Sequence, residues 1–237
     1  MALPKLNSTP KYKMTVPSTG QEVDFRPFLV KEEKVLMMAM ETGDDESGIR
    51  AIVDTISSCV ATELDTNTLK SYDIEYLFLR IRAKSVGEKS TITIACKECE
   101  HPNPYVIDLE SLEVSEGEGA KDIPITPELT VSMKFPSYKD LLTGGLRAEG
   151  EHDLDVIFNL IGKCIDGVKT EDEYFSMVDQ SQEEIKEFIE SLSSEQFGLI
   201  RNFVESMPKL SHDAKLTCEE CGAENEQTLS GIQSFFS

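Results

Sequence analysis

Four of the six cysteines fall into two Cys-x-x-Cys pairs, Cys96-Lys97-Glu98-Cys99 and Cys218-Glu219-Glu220-Cys221, while Cys59 and Cys164 stand alone. A two-residue spacer lets one tight turn aim both sulfurs at a common point, and four such sulfurs complete a tetrahedral Zn²⁺ shell with bonds of about 2.3 Å. The two segments also superpose as text. ACKECEHPN and TCEECGAEN share both cysteines, the glutamate between them and an asparagine seven residues after the first cysteine. Each follows an alternating run, Thr91-Ile92-Thr93-Ile94-Ala95 or Ala214-Lys215-Leu216-Thr217, so each pair is expected at the tip of a hairpin. This is the zinc-ribbon arrangement, and Cys96, Cys99, Cys218 and Cys221 are its expected ligands for a structural Zn²⁺.

Two other chemistries use the same residue types. A redox Cys-x-x-Cys opens a helix beside a βαβ unit, whereas both motifs here lie between strand-like runs. A catalytic zinc keeps an open position and recruits histidine or carboxylate. Only His101 lies close to a knuckle, and four sulfurs already close the shell. His101, His152 and His212 read as surface or locally bonded residues, and they assemble no Ser/His/Asp constellation. No catalytic and no cofactor-binding residue is expected, and the chain is not expected to be an enzyme. Cys59 continues the helical stripe Ile49, Ile52, Val53, Ile56 and Val60, and Cys164 continues Ile157, Leu160 and Ile161. Both are expected in the core, where cysteine behaves as a small hydrophobe.

The elements that must position the sulfurs follow from the flanking patterns. The intervening 118 residues between Cys99 and Cys218 far exceed the interval of a compact ribbon, so they are expected to form an inserted domain. Ahead of the first knuckle, a polar lead (1–10) precedes a β-hairpin: Lys11 to Val16 and Glu22 to Phe28 alternate around the turn Pro17-Ser18-Thr19-Gly20. Three helices follow. The first spans Val30–Glu41, and its run Val35-Leu36-Met37-Met38-Ala39-Met40 has no polar face, which predicts burial in the core ahead of cover by a partner. Gly43-Asp44-Asp45 breaks it before Ile49–Leu64. The third, Asp73–Ser85, carries the stripe Ile74, Leu77, Phe78 and Ile81, with Arg80 and Lys84 on another face near its C-terminus.

Beyond the first knuckle, Tyr105–Leu109 predicts a strand and Ser115-Glu116-Gly117-Glu118-Gly119 a solvated loop. Ile123–Ile125 and Leu129–Phe135 give strand signals, with Pro124 and Pro127 arguing for edge or turn positions. A short helix over Ser137–Leu142, ended by Gly144-Gly145, precedes a helix over Leu154–Cys164. Ile165–Lys169 is then a turn or strand. Capping boxes Ser181-Gln182-Glu183-Glu184 and Ser193-Ser194-Glu195-Gln196 open two more helices, the second ended by Pro208. At the far end, Phe235 and Phe236 need cover, from the ribbon or from a partner.

Composition sets the outer bounds. The 237 residues are 39% hydrophobic and 28% charged, as in an ordinary globular chain. No apolar run approaches the roughly 18 residues of a membrane span, and no secretory signal opens the sequence. Net charge is −21, divided as −2 over residues 1–99 and −19 over 100–237. Only Arg80, Arg82 and Lys84 approach a basic cluster, so neither a phosphate backbone nor an anionic membrane is an expected partner. An acidic surface suits solubility or a basic protein partner. No small-molecule substrate is expected.

Two strings carry a resemblance. Phe25-Arg26-Pro27-Phe28-Leu29-Val30-Lys31-Glu32-Glu33-Lys34, and Tyr72 through Glu88 (YDIEYLFLRIRAKSVGE), resemble the baseplate hub and hub-assembly proteins of T-even-type contractile-tailed bacteriophages, the myoviruses. The likeness covers about the first 110 residues and the ending around the second knuckle, and it departs over about 110–210. It implies a structural or assembly protein of the tail baseplate hub, in the virion tail or in the host cytoplasm during assembly, whose partners are other hub and tail proteins. The candidate contact surfaces are the Arg80/Arg82/Lys84 face, the N-terminal lead and hairpin, the acidic middle and the Phe235-Phe236 end. Zinc is not part of that inference and rests on the cysteine spacing alone. The alternative is a zinc-ribbon adaptor in transcription or other nucleic-acid machinery, against which the net charge argues. The expected fold is α+β: an N-terminal hairpin and helices over 1–89, a split four-cysteine zinc ribbon from 90–112 plus 210–237, and an acidic, mainly helical insertion over 113–209.

Overall fold

The computed structural model describes residues 9–41, 45–117, 119–143 and 153–235. Chain contacts divide it into two compact units, one from residues 1–115 and 209–237 and the other from 116–208. Among the described residues no helix is long and apolar enough to cross a membrane. The leading residues 1–8, Gly43, Asp44, Gly144-Gly145, His152 and Phe236, on which several sequence expectations fall, lie outside the described residues.

The first unit opens with the antiparallel hairpin β1 (Tyr12–Thr15) and β2 (Glu22–Phe25). Alternation drives it: Met14, Val16, Val23 and Phe25 are buried, and their neighbours face solvent. Three helices follow, α1 (Val30–Glu41), α2 (Asp45–Cys59) and α3 (Ser71–Ser85). The hairpin is stitched to the end of α2, with Arg26 N–H donating to the Cys59 carbonyl (3.0 Å) and Ala61 N–H to that of Asp24 (2.8 Å). Buried Asp73 ties the hairpin turn to α3 by accepting from Ser18 N–H (2.9 Å) and Lys70 N–H (2.8 Å).

α3 is the central helix. The stripe Ile74, Leu77, Phe78 and Ile81 is buried as its spacing predicts, and Cys59 and Ile56 of α2 are buried with it. Leu79 and Ala83, on the other side, join a second apolar cluster with residues from two further hairpins, β3 (Lys89–Ala95) with β4 (Pro102–Asp108), and β9 (Ser211–Thr217) with β10 (Glu224–Ser230). Phe235 is fully enclosed in that cluster, and its carbonyl accepts from Ser90 Oγ (2.7 Å). The cluster of the two hairpins and α3, not a partner, therefore covers this aromatic.

Two sequence expectations are corrected. The Val35–Met40 segment is not core: Met37 and Met40 are 59% and 60% exposed, and Val35 and Met38 are exposed as well. A twelve-residue helix packed against α2 buries one stripe only, and that stripe holds Leu36 and Glu32. Glu32 goes inward because Arg26 needs it. Its carboxylate accepts from the Arg26 guanidinium (2.8 Å) and caps Leu29 N–H (2.8 Å). The Arg80/Arg82/Lys84 face is likewise no free basic patch. Arg80 donates to the carbonyls of Glu110 and Leu112 and lies over the Tyr76 ring, and Lys84 pairs with Glu88 (2.7 Å) and Glu110 (2.6 Å).

The second unit is built on one antiparallel sheet of order β5-β6-β7-β8: β5 (Lys121–Thr126), β6 (Leu129–Met133), β7 (Ile165–Lys169) and β8 (Tyr174–Ser176). Its helices are α4 (Tyr138–Thr143), α5 (Asp153–Cys164), α6 (Gln182–Glu190) and α7 (Ser194–Glu205). Helix residues outnumber strand residues here, yet the sheet organises the unit. Pro124 sits on edge strand β5, the kind of position at which a sheet tolerates proline. Both capping boxes form as their sequences predict. Ser181 and Glu184, and Ser193 and Gln196, exchange reciprocal bonds of 2.8 and 3.2 Å and of 2.9 and 3.3 Å. Val131, Ile161, Cys164 and Ile200 form its buried centre, and Phe135 stacks on Phe203 at 4.9 Å.

The pairing of buried Glu32 with half-buried Arg26 predicts a pH signature. Burial raises the Glu32 carboxyl, but the Arg26, Leu29 and Lys31 donors together hold it below the usual carboxylate range. A lowered folded value means that the stabilisation is complete above the ordinary carboxylate pKa and is lost as pH falls through the folded value. Glu32→Gln is expected to cost about 2 kcal/mol near neutral pH. Urea titrations at several pH values should show that difference shrink and vanish in acid.

Candidate metal centre

Both Cys-x-x-Cys motifs form hairpin loops of the same length, closed by the pairs Ala95↔Pro102 and Thr217↔Glu224. Their internal bonds match position for position. Cys96 N–H donates to the His101 carbonyl (2.9 Å) and Glu100 N–H to that of Cys96 (2.9 Å); Cys218 N–H donates to Ala223 (2.8 Å) and Gly222 N–H to Cys218 (3.0 Å). The fourth residue after each first cysteine takes the left-handed conformation, Glu100 at φ 60° and Gly222 at φ 74°.

The two loops meet. The ligand atoms of Cys96, Cys99, Cys218 and Cys221 all lie within 4.8 Å of one another, with Cys96–Cys221 sulfurs at 3.7 Å and Cys99–Cys218 sulfurs at 3.6 Å. Sulfurs on a tetrahedron with 2.3 Å metal bonds are separated by about 3.8 Å. The spacing suits four ligands of one ion and is far beyond a disulfide bond of about 2.05 Å; all six cysteines are free. Cys96 and Cys218 are buried, Cys99 and Cys221 exposed.

The loop backbones supply the electrostatics. N–H groups of Cys99 and Glu98 pull the Cys96 thiol down to about 6, helped by Asn225, and those of Cys221 and Glu220 lower Cys218. Cys99 receives the His101 N–H, yet the sulfurs of Cys221, Cys218 and Cys96 together with burial drive it up to about 12. Cys221 receives the Ala223 N–H but is also raised, because burial and the sulfurs of Cys218 and Cys96 outweigh it. Four adjacent sulfurs thus resist becoming four thiolates unless a cation joins them. Cys59 and Cys164, by contrast, are pushed up to about 11 and about 12 by burial. They are core residues, as their helical spacing predicts.

Two sets of contacts here had a partial sequence signal or none. The shared asparagines, Asn103 and Asn225, are buried and reach across to the opposite loop. The repeat displays them, but spacing alone assigns them no role. Tyr105 OH and His212 Nε2 share a 3.0 Å hydrogen bond between β4 and β9, which nothing in the local patterns marks.

Comparison with known families gives this hairpin pair its setting. The model of the T4 bacteriophage base plate protein family matches residues 9–237, and the chain belongs to that family. It is a structural protein of the phage tail baseplate, working among other tail proteins. No curated protein and no solved structure gives a significant match.

The loop equivalence predicts opposite outcomes for two substitutions. A Cβ at Gly222 meets no atom within 4 Å, so Gly222→Ala costs only left-handed backbone strain, about 1 kcal/mol. Glu100→Gly relieves that strain in the other loop and should leave stability equal or higher. Thermal melts of the two variants check both signs.

Proposed function

We propose that the protein is a structural or assembly component of the central hub of the tail baseplate, and that Zn²⁺ held by Cys96, Cys99, Cys218 and Cys221 fastens two distant hairpins into a split zinc ribbon. The family match supports the baseplate setting. The zinc reading rests on one observation: sulfurs separated by 118 residues of chain converge at tetrahedral spacing on two equivalent loops. The function is exercised through protein–protein contacts. With Arg80 and Lys84 engaged internally and Phe235 buried, the N-terminal hairpin, the exposed Val35, Met37, Met38 and Met40 of α1 and the acidic 116–208 unit are surfaces left from the sequence reading to meet other hub proteins.

Zinc here is a closed tetrathiolate with a structural role. Metal-linked folding energy in small zinc modules is on the order of 10 kcal/mol, so its loss should be severe. Purified protein is expected to carry one zinc per chain by plasma mass spectrometry. Chelation, Cys96→Ser or Cys221→Ser should each lower the melting temperature strongly; an unchanged melt on chelation overturns the zinc reading. Affinity capture from infected cells, read by mass spectrometry, should recover baseplate hub proteins. Recovery of other baseplate sectors without the hub would overturn that location.

A further inference from the structure

The asparagines at the sulfur cluster form a crossed clasp. Asn103 follows Cys96 by seven residues and Asn225 follows Cys218 by seven, and both are almost fully buried, at 2% and 3% exposed. Each serves the opposite hairpin. Asn103 Oδ1 accepts from Glu219 N–H (2.9 Å), and its Nδ2 lies 3.7 Å from Cys218 Sγ. Asn225 Oδ1 accepts from Lys97 N–H (2.9 Å), and its Nδ2 lies 3.5 Å from Cys96 Sγ. The amide nitrogens also donate within their own loops, Asn103 to the His101 carbonyl (2.8 Å) and Asn225 to that of Ala223 (3.0 Å).

That home bond fixes which way each carboxamide faces. With oxygen on the partner's backbone N–H and one amide hydrogen on its own loop, the second hydrogen of Asn225 is left for the Cys96 sulfur, and that of Asn103 is shared between the Cys218 sulfur and the Ile94 carbonyl (3.4 Å). A buried carboxamide is costly unless its polar groups are matched, and these are matched only when the hairpins meet. The two sulfurs so contacted, Cys218 and Cys96, are the buried ones, where a thiolate has least help from water.

We propose that Asn103 and Asn225 are positioning residues of the metal centre, each orienting and supporting the buried thiolate of the opposite hairpin. This rests on the metal reading above. Each hairpin then completes the other's half-site, and metal retention is coupled to hairpin association. Outer groups that hydrogen-bond metal ligands typically change metal affinity by about 10–100-fold when removed.

The test is a Co²⁺ titration of the full chain against a competing chelator, read from thiolate charge-transfer and d–d absorption. Asn103→Asp and Asn225→Asp keep the acceptor oxygen and shape but delete the amide donor. Asn103→Ser and Asn225→Ser trim the group without adding charge and serve if the Asp variants do not fold. Each variant is expected to hold Co²⁺ about 10–100-fold more weakly than the parent, a loss larger than any lowering of its chelator-treated melting temperature accounts for. Unchanged affinity, or a loss fully matched by a lower melting temperature of the chelated chain, overturns the clasp. A parent chain that binds no Co²⁺ overturns the metal reading itself, and with it the clasp, before any variant is compared.

Discussion

The constraint on which the first unit depends is that two hairpins far apart in the sequence, β3–β4 and β9–β10, must present their loops to each other. Local sequence can form each hairpin, through alternation in Thr91–Ala95 and Ala214–Thr217 and through equal loop lengths. It cannot bring them together. That step is carried by α3, whose Leu79 and Ala83 face a cluster drawn from both hairpins, with Phe235 closing it from the C-terminal end. Apolar burial sets the approach, and the crossed asparagines and sulfurs set the register.

An insertion between the hairpins is tolerated because its root is closed before the sulfurs are reached. The isolated bridge Val114↔Leu210 and the bonds between Ser115 and Lys209, both at 3.0 Å, hold the outgoing and returning strands side by side. Once the root is fixed, the length of chain beyond it adds little, since loop-closure entropy grows only logarithmically. A metal cross-link at the loop tips would act on the same closure from the other end. For a loop of about 100 residues, constraining the unfolded chain in this way is worth about 4–5 kcal/mol in the chain-entropy account.

Most of the fold was legible where a residue pattern answers to one local force. Capping boxes at Ser181 and Ser193, the Ile74–Ile81 stripe and the core cysteines Cys59 and Cys164 are cases in which spacing and burial coincide. The four sulfurs were legible for the same reason, because the repeat is local on each hairpin. What escaped were choices made by neighbours. Hydrophobicity of Met37, Met38 and Met40 says core, but a helix with α2 on one side has room to bury Leu36 and Glu32 only. The charge of Arg80 and Lys84 says surface, but carbonyls at Glu110 and Leu112 and the carboxylates of Glu88 and Glu110 claim them. The strand β8 at Tyr174–Ser176 has too few residues for periodicity to register, and forms because β7 offers an edge.

The site also has to be understood against the charge of the chain around it. Glu98, Glu100, Glu219 and Glu220 all belong to the two loops, in a protein whose net charge is −21. Such surroundings oppose further negative charge and favour a cation. The loops carry the same tension: backbone N–H groups favour thiolate at Cys96 and Cys218, while neighbouring sulfurs favour the protonated form at Cys99 and Cys221. A dication removes that conflict, because four thiolates around it leave two net charges in place of four. On the proposed metal reading, the exposed pair, Cys99 and Cys221, would give the ion a way in, and the buried pair, each touched by an asparagine from across the interface, would hold it only when both hairpins are in place.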